Sequence, residues 1–228
     1  MSVKWMAPDG IGFIQLLNVF GDDLTVVNAA RVSFAKETEE MRPMDERLVK
    51  YLADHDHVSP FFHPQLRFRV KMPIFVAREW YRHQIGFARN EVSRRYVDTN
   101  PECWVPSKAD MRARDPNLKQ GSRSEAIDDA EACHGHIVEF HRVALELYNT
   151  LLLNRVAPEV ARCILPQSMY TEFIETGSLA AYARLCSLRL SPAAQKEIRG
   201  YAAGLSTLVE PRFPVSWSAL QKQKQSPQ

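Results

Sequence analysis

Long apolar runs are missing from this sequence of 228 residues. No stretch approaches the ~20 consecutive apolar residues that a bilayer-spanning helix needs, so neither a membrane span nor a membrane partner is predicted. The first residues, Met1–Trp5, contain no apolar core of a signal peptide. We therefore expect a cytoplasmic protein.

A strong net charge is also missing, because 29 Lys and Arg residues face 27 Asp and Glu residues, which leaves +2. That balance is too mild to predict a general nucleic-acid-binding surface. Apolar residues make up 45% of the chain, and charged residues make up 25%. These proportions are typical of a globular domain with a real core.

Metal-binding patterns are absent as well. The four cysteines form no Cys-x-x-Cys pair, so we expect free thiols and predict neither a zinc site nor a redox dithiol. His55, His57 and His63 lie near two aspartates, but their uneven spacing matches no zinc motif. No metal is predicted.

Strand and helix patterns alternate without the regular rhythm of a parallel α/β fold, which predicts an α+β protein. Leu66, Phe68 and Val70 alternate with basic residues and predict a half-buried strand. A helix is predicted where apolar residues recur at spacings of three and four, at Ile137, Phe140, Ala144, Leu147 and Leu151.

Local signals predict where helices begin. Asp45 and Ser178 are expected to cap helices, and Pro73 is expected at the first position of another. The polar, charged region 106–129 predicts a long mobile loop.

The segment from Arg78 to Arg95 concentrates positive charge. It contains five arginines and His83, opposed only by Glu79 and Glu91. Guanidinium groups so close together repel each other unless an anion joins them, and arginine suits bidentate phosphate contacts. The alternatives that the charge pattern leaves open are a solvated basic helix face and a nucleic-acid-binding module.

The same segment carries a motif. Arg82-His83, followed by Asn90-Glu91-Val92-Ser93-Arg94-Arg95-Tyr96, resembles the Arg-His-Arg and Asn-Glu-x-Ser-x-Arg-Tyr signature of flavin-dependent thymidylate synthases. Gln84 stands where the second Arg is usual, and the spacer Ile85–Arg89 is one residue longer. Arg89 could restore the missing charge.

Other segments resemble the same family in the same order. They are Asn28–Phe34, His57–Phe61, Pro73–Trp80, Ala161–Pro166, Ser178–Arg189 and Ala194–Ile198. The resemblance implies a central, mostly antiparallel sheet flanked by helices. It also implies a single domain over residues 1–220, with a polar tail at 221–228.

The resemblance assigns roles to individual residues. The implied catalytic residues are Arg189, His57 and Ser93. The residues implied to bind the FAD cofactor are Ser33, Ser59, Arg82, His83, Gln84, Asn90, Glu91, Ser178 and Arg184. Those implied to bind dUMP are Glu79, Arg82, Glu91, Ser93, Arg94, Arg95, Arg162 and Arg189. Glu79 replaces a more usual Gln.

The reaction implied by the resemblance converts dUMP to dTMP. The one-carbon unit comes from 5,10-methylenetetrahydrofolate, and NADPH-reduced FAD supplies the hydride. Family members are homotetramers with shared active sites. Two alternatives stay open: a nucleic-acid-binding module, and a flavoprotein that oxidises NADPH without methylating dUMP.

Overall fold

The computed structural model describes residues 3–97, 99–117 and 121–222, which form seven strands and eight α-helices. The strands are β1 (Lys4–Met6), β2 (Phe13–Phe20), β3 (Gln65–Pro73), β4 (Phe87–Glu91), β5 (Arg112–Arg114), β6 (Ser122–Ala126) and β7 (Tyr170–Ser178). The helices are α1 (Asp23–Arg31), α2 (Pro43–Asp54), α3 (Ile74–Trp80), α4 (Ala130–Leu153), α5 (Pro158–Ala161), α6 (Leu179–Arg189), α7 (Lys196–Val209) and α8 (Pro214–Lys222).

Five strands form the main sheet in the order β1-β2-β3-β7-β4. Strands β1 and β2 are antiparallel. Backbone hydrogen bonds Leu179 N to Pro64 O and Ile74 N to Met169 O fix β3 and β7 as antiparallel neighbours. The predicted α+β class with an antiparallel sheet and flanking helices is confirmed.

The described residues divide into two compact units. Unit 1 contains the chain up to Val70, Glu79–Asn90 and the chain from Phe173 onward. Unit 2 contains Lys71–Arg78 and Glu91–Glu172. A single functional domain over residues 1–220 stays a prediction. Helix α8 extends two residues into the predicted tail, and residues 223–228 of that tail lie outside the described residues.

The core of unit 1 lies on one face of the sheet. Leu66, Phe68 and Val70 of β3 are buried, whereas Arg67 and Arg69 are exposed, which confirms the predicted alternation. Helix α6 packs against α7 and α8 within this unit. Its predicted cap is confirmed, because the Ser178 hydroxyl accepts a hydrogen bond from Ala181 N at 3.2 Å.

Two predicted helix starts are wrong. The cap of α2 is Arg42, with Pro43 at the first helical position. Asp45 lies one turn inside, where its carboxylate accepts from Arg42 N and pairs with Arg31. Pro73 ends β3 instead of beginning α3, because Met72 and Pro73 still follow the extended course of that strand.

The region 106–129 is not simply a loop. In its described residues it contains a short 3₁₀ turn, Lys108–Asp110, and the antiparallel pair β5 and β6. The strands are short and highly charged, so the alternating apolar pattern that identifies a strand is absent.

Helix α4 is confirmed, but only part of its apolar face is buried. The helix buries His141, Ala144 and Tyr148, while Phe140 and Leu147 are exposed. Within the described residues, no helix combines the length and apolar character needed to cross a bilayer.

Candidate active site

Four arginines surround His83 in unit 1, just after α3. They are Arg82, Arg89, Arg184 and Arg189, which together are called the arginine cluster below. His83 is half-buried, and its pKa is lowered to about 4, first by this burial and then by the charge of Arg189 and of the other three guanidinium groups. The imidazole is therefore neutral at pH 7 and can accept a hydrogen bond.

Arg189, the last residue of α6, is held at all three of its nitrogens. Nη1 donates to Glu79 Oε2, Nη2 donates to the Glu79 carbonyl oxygen, and Nε donates to His83 Nε2, each at 3.0 Å. The side chains of Arg189 and Glu79 are 18% and 26% exposed, so the pair is partly shielded from water. Glu79 therefore contacts the residue predicted to activate the substrate.

Arg89 lies in the longer spacer, and its guanidinium group forms an ion pair with Glu175. Glu175 is fully buried on β7 and also accepts from Trp80 Nε1 at 3.1 and 3.2 Å. The Arg89 guanidinium lies over the rings of Tyr81 and Phe87. Its Nη2 atom is buried without a hydrogen-bond partner in the described structure.

Charge does not balance within this cluster. Four guanidinium groups face two carboxylates, Glu79 and Glu175, while His83 is neutral. Within the described part of the chain, the exposed side chains of Arg82 and Arg184 form no ion pair. The cluster therefore favours an anionic ligand, because such a ligand relieves the repulsion among its cations.

A pocket of about 430 Å³ lies wholly within unit 2. Its polar lining consists of Glu91, Ser93, Arg94, Glu159, Arg162, Cys163 and Thr171, and its apolar wall includes Ile74, Leu165, Met169 and Tyr170. Four separate sequence segments thus meet in one cavity: the start of α3, the end of β4 with the turn after it, α5 with the turn after it, and the start of β7.

The charged groups of this pocket differ in how they are engaged. Glu91 accepts from the Thr171 hydroxyl, and Arg95 pairs with Glu159 at 3.4 Å. The Arg162 side chain makes no hydrogen bond or ion pair to any other described residue. An unpaired guanidinium beside a hydroxyl and a second guanidinium is suited to a phosphate.

Several predicted site residues of unit 1 are exposed. Ser33, His57, Ser59 and Gln84 lie in loops or short turns, and Asn90 lies in β4. Ser59 begins a 3₁₀ turn, and His57 follows Asp56, whose φ of 56° turns the chain sharply. Each side chain is free to meet a ligand, and their roles stay predictions.

Ser178 differs from these residues because it is buried and its hydroxyl caps α6. Its predicted flavin contact also stays a prediction, although the cap accounts for this serine without a ligand. Among the described residues, no group of three or more His, Cys, Asp or Glu side chains could hold a metal ion.

Sequence reasoning missed Glu175, Thr171 and Glu159. Glu175 occupies an inward position of β7, between Phe173 and Gly177, where an apolar residue is expected. A charged residue at an inward strand position indicates a buried ion pair, because a buried carboxylate requires a partner. The sequence alone contains this signal. Thr171 and Glu159 carry no such signal in the sequence.

Comparison with known proteins places this site in a family. The family model described as "Thymidylate synthase complementing protein" matches residues 15–215. A flavin-dependent thymidylate synthase of Thermus thermophilus is 38% identical over 211 residues, covering 92% of this chain and 76% of the relative. One from Thermosipho africanus is 34% identical, covering 92% of this chain and 91% of the relative.

A solved structure is similar in fold. The UMP/dUMP methylase PolB from Streptomyces cacaoi, bound with 5-Br dUMP, superposes with a TM-score of 0.83 at 30% identity. The match covers 94% of this chain and 97% of PolB. The extent of these matches, together with the motif residues gathered in the arginine cluster and the unit 2 pocket, shows that this chain belongs to the family of flavin-dependent thymidylate synthases.

Proposed function

We propose that this protein methylates dUMP at C5 to give dTMP, using a bound flavin. The observation that carries the proposal is the unit 2 pocket, in which Ser93, Arg94 and Arg162 line one cavity. Family membership supports the reaction, and relatives named flavin-dependent thymidylate synthase support a flavin cofactor.

The phosphate of dUMP is the group that this pocket suits best. Arg162 offers an unpaired guanidinium, and Ser93 offers a hydroxyl within the same cavity. Arg94 already donates to the carbonyl of Thr99, which directs its guanidinium while leaving further N–H groups available. Charge-assisted hydrogen bonds to phosphate of this kind position a substrate as well as bind it.

Arg189 would act on the uracil ring. C5 of uracil is a weak nucleophile, and hydrogen bonds to the ring carbonyl oxygens favour negative charge there and raise the electron density at C5. The Arg189 guanidinium is already held by Glu79 and His83, so it can donate without reorganising. No cysteine nucleophile is needed in this chemistry.

The arginine cluster fits the anionic part of FAD. The excess positive charge and the exposed side chains of Arg82 and Arg184 suit a pyrophosphate. We assign Arg82, His83 and Arg184 to that group, and the exposed Ser33, Ser59 and His57 to its surroundings. When bound, the reduced flavin supplies the hydride.

The remaining reactants are those that the resemblance to the family implies. The carbon unit is transferred from 5,10-methylenetetrahydrofolate to C5, the C5 proton is lost to water, and a hydride completes the methyl group. NADPH would reduce the flavin before each turnover. The products are dTMP, tetrahydrofolate and NADP⁺.

Tritium release tests the proposal. Purified protein should be yellow, and with NADPH, 5,10-methylenetetrahydrofolate and dUMP tritiated at C5 it should release tritium to water and form dTMP. NADPH oxidation without tritium release would support the flavoprotein alternative instead. A colourless protein whose oligonucleotide binding falls steeply with salt would support the nucleic-acid alternative. A parallel reaction with tritiated UMP tests the ribonucleotide, because the similar structure is that of a UMP/dUMP methylase.

A homotetramer belongs to the same proposal. Val138, Phe140, Val143 and Leu147 are all at least 45% exposed on α4 of unit 2, and three of them recur at spacings of three and four. An exposed apolar helix face of this kind is typical of a subunit interface. Light scattering should give four times the chain mass of 26.1 kDa, and Leu147→Asp should lower that mass.

The cytoplasmic location is also part of the proposal. Fractionation of cells that produce the protein, with immunodetection in each fraction, tests it directly.

A further inference from the structure

The side chain of Glu79 has a role that the substrate does not explain. Its carboxylate and its own backbone carbonyl take one hydrogen bond each from Arg189. His83 takes the third. Both ends of this arrangement lie within unit 1, at the end of α3 and the end of α6.

Counting donors shows what the arrangement leaves available. A guanidinium group has five N–H bonds in one plane. Three of these are used, one on each nitrogen, by Glu79 and His83. Two N–H bonds remain, one on Nη1 and one on Nη2, and both are fixed in direction because the plane of the group is fixed at three points.

The surrounding charge shows why an anionic partner is needed. Arg82, Arg89 and Arg184 act on His83 together with Arg189, so four like charges lie close together. Arg89 is paired with Glu175, which leaves Glu79 as the carboxylate that pairs with Arg189. Without it, repulsion would favour rotamers that carry the Arg189 side chain away from the cluster.

We propose that Glu79 is a positioning residue: it holds the Arg189 guanidinium in place before the nucleotide arrives, so that two N–H groups are ready for the acceptor oxygens of the base. This inference rests on the proposed function for the identity of the base. The three hydrogen bonds that fix the Arg189 guanidinium involve only Glu79, His83 and Arg189.

Two substitutions separate the hydrogen-bond acceptor role of the Glu79 side chain from other effects of changing this residue. Glu79→Ala removes the side-chain acceptor but keeps the backbone carbonyl, whereas Glu79→Gln keeps an oxygen that can accept from Nη1. Loss of a hydrogen bond to a charged group corresponds to a rate loss of about 10- to 100-fold. We expect Glu79→Ala to lower kcat by that factor with KM for dUMP little changed, and Glu79→Gln to recover most of it.

A second readout does not depend on turnover. The flavin-loaded protein without dUMP is treated with phenylglyoxal, which modifies accessible guanidinium groups, and labelled peptides are quantified by mass spectrometry. Arg189 should react slowly in the native protein and in Glu79→Gln, and several-fold faster in Glu79→Ala. The exposed Arg47 of α2 should react equally in all three. Glu131→Ala, which removes an exposed carboxylate paired with Lys108, should change neither readout.

The outcomes are distinct. Unchanged labelling of Arg189 in Glu79→Ala overturns the proposal, whether or not dTMP is formed. Equal loss of kcat in Glu79→Gln and Glu79→Ala also overturns it, since the acceptor would then be irrelevant. If the native protein forms no dTMP, the proposed function fails, and the labelling pattern alone decides the role of Glu79. Equal melting temperatures and flavin contents would exclude a merely structural effect.

Discussion

Breaking the buried ion pair between Arg89 and Glu175 from one side should cost a large part of the stability of unit 1. Glu175 is fully buried, Arg89 is 16% exposed, and the other donors near the carboxylate, Trp80 Nε1 and the Tyr182 hydroxyl, are neutral. Arg89→Ala leaves a buried carboxylate with neutral donors only. Breaking a buried pair from one side costs about 3–5 kcal/mol. The total free energy of unfolding of a typical domain is about 5–15 kcal/mol.

Exposed pairs provide the control. Arg95 and Glu159 form an ion pair at 3.4 Å, but their side chains are 51% and 58% exposed. Removing such a pair costs less than about 1 kcal/mol, because water screens it. Arg95→Ala should therefore hardly change stability, although it removes the same functional group from the same kind of partner.

The assay is denaturant unfolding followed by tryptophan fluorescence, at one protein concentration so that subunit association is matched. Trp80 reports directly on the site, since its indole donates to Glu175. A double variant, Arg89→Met with Glu175→Leu, should regain much of the lost stability, because neither charge then remains buried. If Arg89→Ala costs no more than Arg95→Ala, the reasoning about this pair is refuted.

The pH dependence has a definite sign. Burial raises the pKa of Glu175, while the charge and hydrogen bonds of Arg89, and the hydrogen bond of Trp80, lower it in part. A carboxyl group whose pKa is raised on folding contributes most to the stability of the folded state at a pH below its pKa in the unfolded chain. That contribution is lost as the pH rises through its pKa in the folded protein. Without Arg89 the pKa rises further, so Arg89→Ala should be less destabilised at pH 5 than at pH 8. Arg95→Ala should show no such difference.

Three further predictions concern the site. Arg189→Ala should abolish dTMP formation while the flavin stays bound; turnover retained in the tritium assay would contradict its role. Arg162→Ala should weaken dUMP binding by about 10- to 100-fold, because it removes a charge-assisted hydrogen bond; an unchanged affinity in a titration would show that Arg162 does not bind the phosphate. Ser178→Ala should lower the free energy of unfolding by about 1 kcal/mol through loss of the α6 cap, whereas Ser178→Gly should cost only a few tenths; equal losses would exclude capping as the cause.

The sequence predicted those elements whose cause is local. The alternation of Leu66, Phe68 and Val70 with basic residues placed β3 correctly, because a strand needs only period-two burial. Ser178 was correctly predicted as a cap, since its hydroxyl satisfies a backbone N–H three residues away. The order of the motifs also identified the family, and it singled out Arg162 and Arg189.

Prediction failed where a local signal admits two outcomes. Asp45 is a good cap by residue type, yet Pro43 fixes the helix start two residues earlier, and the carboxylate pairs instead with Arg31 and Arg42. In α4 the apolar spacing predicted the helix correctly, but of its five residues only Ala144 is buried, beside His141 and Tyr148. Periodicity identifies an amphipathic helix without saying which partner covers its apolar face.

The sequence by itself determined the fold class, the family and the residue types that bind anions, because these depend on composition, spacing and motif order. Only the tertiary structure decided how those residues are paired. It brought Glu79 into hydrogen-bonding contact with Arg189, and it paired Arg89 of β4 with Glu175 of the neighbouring strand β7. It also left the Arg162 side chain without a described partner. The physical reason is that a charge in a sequence has no defined neighbour until folding fixes the distances, and electrostatic energy depends on distance and burial.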